Sequence, residues 1–165
     1  MHRLFITALR AGIAAAFLAG LFGQILVIPN TAANEVDNFP PYEPFEAPYV
    51  TVAIVGVACV QVALVATWML LSMVERDAIF TPRAFRWVDV IIGASIVATL
   101  LATGVMAHLA LATIPSPGDG MEVIGALFTA TACAGAGTYF ALLVVIMRSL
   151  LRKATDLQTE MAEVV

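Results

Sequence analysis

Four long apolar runs, at residues 4–28, 49–74, 87–112 and 122–147, are separated by short polar stretches. Each is about 25 residues long, enough to cross a hydrocarbon core of roughly 30 Å with some tilt. A lipid-exposed segment must satisfy its own backbone hydrogen bonds, so runs this long and this continuously apolar predict helices, not barrel strands. The first run admits a rival reading as a secretory signal peptide, with His2, Arg3 and Arg10 as its basic head and Thr31-Ala32-Ala33 as a cleavage site. Its continuation through Ile28 exceeds a usual signal core and favours a retained span.

Composition agrees with the pattern. The chain is 61% hydrophobic with a mean hydropathy of +0.96 and only 12% charged residues, against roughly a quarter charged in soluble domains. The lipid bilayer is therefore the expected solvent, and the 165 residues form a single membrane domain. Cys59 and Cys133 stand singly inside apolar runs and read as packing residues, not as a disulfide pair.

The basic residues set the expected orientation. Arg3 and Arg10 flank or open the first run, Arg76, Arg83 and Arg86 lie between the second and third, and Arg148, Arg152 and Lys153 follow the fourth. Segments 29–48 and 113–121 contain no Lys or Arg. The positive-inside rule then predicts a multi-pass protein of the cell (plasma) membrane, with both termini and the loop 75–86 cytoplasmic and those two segments outside.

The polar segments carry their own expectations. Residues 29–48 contain Glu35, Asp37, Glu43 and Glu46 among five prolines and the aromatics Phe39, Tyr42 and Phe45, with Tyr49 next in the chain. Proline withholds a backbone donor, so this segment reads as an extended cap held at the headgroup level by its aromatics, not as a helix. The alternative is a binding surface for an external partner or a cation, but its dispersed carboxylates lack the spacing of a calcium loop, which favours an acidic linker. Thr81 followed by Pro82 reads as a helix start, so the third helix runs from about Pro82 to Thr113, longer than the membrane is thick, with its first turns in the cytoplasm. There Arg86 and Asp89, three residues apart, are expected to pair. The stretch 148–165 contains no Gly or Pro and continues the fourth helix, with Leu150, Ala154, Leu157, Met161 and Val164 at spacings of four and three. That is the seam of a helix that packs against another helix.

Few residues suggest chemistry. Asp89 and Glu122 fall at span ends, which disfavours a proton-coupled carrier. His2 and His108 fall near opposite faces, which disfavours haem. Paired cysteines for thiol oxidation are absent from the sequence. No nucleophile–base pair or metal set is visible, so no catalytic residue, cofactor or metal is expected, and the protein reads as a non-enzyme without direct nucleic-acid contact. Gln61, in mid-span, should bond a neighbouring helix. Gln61, Thr99, Thr103 and His108 are the candidate lining of an intramembrane cavity. Small residues at 132–137, with Gly93, Ala94 and Gly104, suit close helix approach.

The four-span layout, the segment Ile79-Phe80-Thr81-Pro82 followed by Arg83 and Arg86, and the closing run Leu150-Leu151-Arg152-Lys153-Ala154-Thr155-Asp156-Leu157 resemble a bacterial four-span membrane family catalogued as a domain of unknown function. Members often carry an I/V-F-T-x-x-N segment in the middle loop; here Ala84, Phe85 and Arg86 follow, without the Asn. Members are often encoded beside small helix-turn-helix regulators, so the resemblance implies a regulatory partner and supplies no catalytic residue.

Together these readings predict an all-α, four-helix transmembrane bundle whose third helix begins, and whose fourth helix ends, in the cytoplasm. The expected role is that of an interaction partner for a cytoplasmic regulatory protein, or for a second copy of itself, through Arg83, Arg86, Leu150, Leu157 and Met161. The alternative is a small-molecule binder or transporter built on the cavity residues above.

Overall fold

The computed structural model describes residues 2–75, 81–116 and 120–163. Among them the chain is all-helical: α1 (His2–Phe22), α2 (Ile28–Asn38), α3 (Glu43–Val74), α4 (Pro82–Leu111) and α5 (Met121–Glu163). A π-helical segment, Gly23–Val27, joins α1 to α2, and a 3-10 turn, Pro40–Tyr42, leads into α3. Four stretches are long and apolar enough to cross a membrane, Leu4–Asn38, Pro40–Val74, Arg83–Leu111 and Met121–Leu157. This is a multi-pass membrane protein built as an antiparallel helical bundle.

The bundle is open. α1 and α2 pack on α3, α3 on α4 and α4 on α5, while α1 makes no close backbone approach to α4 or α5 among the described residues. Lipid exerts no hydrophobic force between helices, so close packing through small side chains has to hold them together. Accordingly three of the six buried apolar residues are alanines, Ala66, Ala84 and Ala130.

The contacting seams follow a coiled-coil repeat. On α5 the less exposed positions are Val123, Leu127, Ala130, Ala134, Gly137, Ala141, Val144, Arg148, Leu151 and Thr155, alternating steps of four and three. That period keeps one line of side chains against a neighbour along a supercoil. On α4 the sheltered line is Ala84, Val88, Ile91, Ser95, Ala98, Ala102 and Val105. The partners meet most closely at Gly137, where an added Cβ would overlap the Thr99 hydroxyl and lie 3.7 Å from Thr99 Cα.

Segment 29–48 corrects the sequence expectation of an extended cap: it is helical apart from the join near Phe39. The prolines fall where they cost little. Pro40 and Pro44 each occupy one of the first positions of their element, where the backbone N–H has no intrahelical acceptor in any case. Pro29 follows an unbroken helix, and the π segment accommodates it: the Ile28 N–H reaches back to the Gly23 carbonyl, one residue further than in an α-helix. Pro48 lies inside α3, in its exposed opening turns.

α4 begins at Pro82 as expected, with Thr81 in extended conformation ahead of it and the Ala84 N–H bonded to the Thr81 carbonyl at 2.9 Å. Ile79 and Phe80 of the family-like segment, Arg76 and Val164 lie outside the described residues. Helix α5 runs past the last apolar run to Glu163, as the absence of Gly and Pro predicts.

Candidate functional site

The polar residues singled out inside the spans do not converge. Gln61 is buried between α3 and α1, with its amide 3.5 Å from the Phe17 carbonyl. Thr99 faces α5 at Gly137, and its hydroxyl donates to the Ser95 carbonyl at 2.8 Å. Thr103 donates to the Thr99 carbonyl at 2.8 Å. His108 Nδ1 lies 2.8 Å from the Tyr49 hydroxyl, tying α4 to α3. The hydroxyls of Thr67, Ser95, Thr129, Thr131 and Thr138 also return to the carbonyl four residues earlier. Such back-bonding satisfies a hydroxyl within its own helix. Most of the intramembrane hydroxyls therefore have their donors committed; Gln61, Thr99 and His108 serve three different helix contacts, and Thr103 bonds within its own helix.

The chemistry-bearing residues gather at the two ends of the bundle. At the basic end Arg10 of α1 forms an ion pair with Glu75 at the close of α3, and its guanidinium carbon lies 5.6 Å from the Trp68 ring centre. Asp89 pairs with Arg148 across the α4–α5 seam, at 2.7 Å and 3.0 Å to the two guanidinium nitrogens. The pairing expected between Asp89 and Arg86 is thus replaced by one between helices, because Asp89 lies beside the α5 line that carries Arg148. Arg83, Arg86, Arg152 and Lys153 are exposed at this end.

The seam read in the sequence from Leu150 is not the one α5 uses within the chain. Leu151 and Thr155 lie on the packed line. Leu150 and Leu157 stand off it, 61% and 60% exposed, and Ala154 between them is exposed as well. The backbone of Met161 is helical; its side chain lies outside those the structure describes.

At the acidic end, the ends of α2, α3, α4 and α5 border an open cavity of about 530 Å³. Glu35 of α2, Glu46 of α3 and Glu122 of α5 line it with Tyr42, Phe45 and Tyr49. The Tyr42 hydroxyl lies 3.5 Å from a Glu122 carboxylate oxygen. Tyr42 sits on the 3-10 turn that leads into α3. The Tyr49–His108 contact, with ring centres 5.8 Å apart, and Phe45, 6.1 Å from the same imidazole, fix the aromatic wall. Among the described residues, no group of three or more His, Cys, Asp or Glu side chains could hold a metal ion.

Residues 30–165 match the model of a family described as Protein of unknown function (DUF2975). The chain belongs to that family. In this DUF2975 protein the match takes in most of α2 and all of α3, α4 and α5, and begins beyond α1. Comparison with curated proteins and with solved structures finds no match to the chain.

The sequence of this DUF2975 protein suggests a cation or partner surface in segment 29–48 only as the lesser alternative, and gives no sign of the cavity that joins Glu35 and Glu46 to Glu122. Its carboxylates come from three separate segments, so their spacing along the chain carries no signal. The available clue was the absence of Lys and Arg throughout 29–75 and 87–147, which leaves those carboxylates without a neighbouring cation in sequence.

Proposed function

We propose that this DUF2975 protein is a non-enzymatic membrane protein that docks a water-soluble regulatory protein at its basic end, on the cytoplasmic side. The observation that carries the reading is the position of Leu150 and Leu157. α5 already uses one heptad line, through Leu151 and Thr155, to pack on its own chain, yet a second apolar line stays exposed beyond the level of Arg148. In the spans exposed leucines face lipid; past the basic girdle they face water, where an apolar stripe favours cover by another helix.

The surroundings indicate the chemistry of the occupant. Arg152 and Lys153 flank the stripe in sequence, and Arg83 and Arg86 open the neighbouring α4. An amphipathic helix bearing leucine-like residues on one face and carboxylates along its edges complements that surface, the apolar line supplying affinity and the charges register.

A photoreactive residue at Leu157, compared with one at Gln61 between α1 and α3, tests the reading in native membranes. The expected result is a discrete soluble protein captured from Leu157 and not from Gln61, with capture lost when Arg83, Arg86, Arg152 and Lys153 are changed to Glu. Capture of a second copy alone makes the surface a self-association site. Capture only within the same chain makes the stripe intramolecular; either result overturns the proposal.

A further inference from the structure

The cavity at the acidic end is not used by the docking surface at the opposite end, and it has a defined chemistry of its own. We propose that it binds a monovalent organic cation, an ammonium-type head carrying an apolar body.

Three properties point to that class. The volume, about 530 Å³, lies in the range of small-molecule sites. Glu35, Glu46 and Glu122 reach it from three helices, so it has a negative wall, and no Lys or Arg occurs in 29–75 or 87–147 to neutralise it. Tyr42, Phe45 and Tyr49 contribute aromatic rings, whose faces attract cations, most strongly those that shed water readily. A divalent metal fits poorly, because the carboxylates do not cluster closely enough to share one. An ammonium bearing carbon groups needs no such coordination shell and gains from both walls.

The apolar body also has a place. Phe45 and Tyr49 wall a second, adjoining crevice of about 250 Å³ that runs between α3 and α4 along Leu101 and Val105. The Tyr49–His108 hydrogen bond holds the shared wall in position in the absence of ligand, which lowers the ordering cost of binding. The same chemistry is offered by a free solute and by the choline head of a phospholipid, since the cavity lies at the end of the spans.

Isothermal titration of the full chain in maltoside micelles, which carry no ammonium group, tests the proposal with benzyltrimethylammonium and with phenylmethanesulfonate, an aromatic anion of similar size. The expected result is saturable binding of the cation alone, weakened at least tenfold by the triple change Glu35→Gln, Glu46→Gln and Glu122→Gln. The variant's thermal unfolding and elution volume establish that it is folded. A separate Tyr42→Leu change, which leaves every carboxylate in place, is expected to weaken binding severalfold. Displacement of the bound cation by added phosphatidylcholine identifies a lipid headgroup as the source, and its failure to compete identifies a free solute. Equal binding of cation and anion, or cation binding unchanged in both variants, overturns the proposal. Displacement by micromolar calcium does so as well, since it would make the carboxylates a metal site.

Discussion

Gly137 on α5 lies so close to Thr99 on α4 that a single added methyl group would overlap the threonine hydroxyl. This contact sits on the line that binds α5 to the rest of the chain, and it explains why a glycine interrupts the run of alanines there. With no hydrophobic force acting between helices inside lipid, close approach of this kind is the main source of their association.

Gly137→Ala is therefore expected to destabilise the α4–α5 pair. The Thr99 hydroxyl must either leave its bond to the Ser95 carbonyl or push the helices apart, and overpacking of this type costs about 1–3 kcal/mol. Thr99→Ala removes the atom that is struck, so the double variant should recover most of the loss. Unfolding by SDS titration in mixed micelles gives the cycle directly. Additive effects of the two changes would show that the contact is not what makes the glycine necessary.

How much of this was legible in the sequence depends on the length scale of the signal. Helix class, span count and the start at Pro82 rest on local rules and stand in the structure as read. Segment 29–48 was misread because proline was weighed by number and not by position: Pro40 and Pro44 open elements, and the π segment accommodates Pro29, so all three permit helix. The partner of Asp89 was misread because Arg86 is near in sequence whereas Arg148 is near in space. Whether the Leu150 seam or the adjacent Leu151 line packs on the chain itself was not legible, since Leu150 and Leu151 are equally apolar and only packing distinguishes them. The acidic-end cavity brings Glu35, Glu46 and Glu122 together from three helices, a relationship that no local pattern encodes.

Gln61 should matter to the docking of α1 and little to the α4–α5 pair. Its amide is buried against the Phe17 carbonyl, and Gly20 leaves room for it: a Cβ there would sit 3.1 Å from the amide nitrogen. Interhelical hydrogen bonds in membranes average about 0.6 kcal/mol and reach about 1.7, and the 3.5 Å separation places this one at the low end. Gln61→Leu is accordingly expected to cost under about 1 kcal/mol in SDS unfolding. It should also be additive with Gly137→Ala, since the two sites share no partner. A loss of several kcal/mol would mean that Gln61 bonds more than α1.

The Asp89–Arg148 pair is expected to set register more than stability. Its side chains are 46% and 37% exposed, and ion pairs open to water contribute roughly 0–1 kcal/mol and weaken with salt. Asp89→Asn and Arg148→Gln should each produce a small loss, and the exchanged pair Asp89→Arg with Arg148→Asp should regain part of it at low ionic strength. A double-mutant cycle at two salt concentrations measures the coupling. Coupling that is large and indifferent to salt would place the pair in a far drier environment than this structure shows.

The direction in which the chain sits in the membrane decides whether the exposed Leu150–Leu157 face can meet a cytoplasmic protein at all. In the sequence all eight Lys and Arg residues fall at the N-terminus, in the middle loop or at the C-terminus, and the other two polar segments, with Glu122 beside them, carry Glu35, Asp37, Glu43, Glu46 and Asp119 without a Lys or Arg. That asymmetry is the strongest determinant of orientation during insertion, and a membrane potential that is negative inside holds cations back from crossing by about 2.3 kcal/mol per charge per 100 mV. In a chain with Cys59 and Cys133 replaced by Ser, single cysteines at Asn38 and Ser116 should react with a membrane-impermeant maleimide on intact cells. A cysteine at Lys153 should react only after permeabilisation. Labelling in the opposite sense would put the basic end outside, and the docking of a soluble cytoplasmic protein on α5 would fall with it, while the acidic-end cavity would then face the cytoplasm and draw its cation from there.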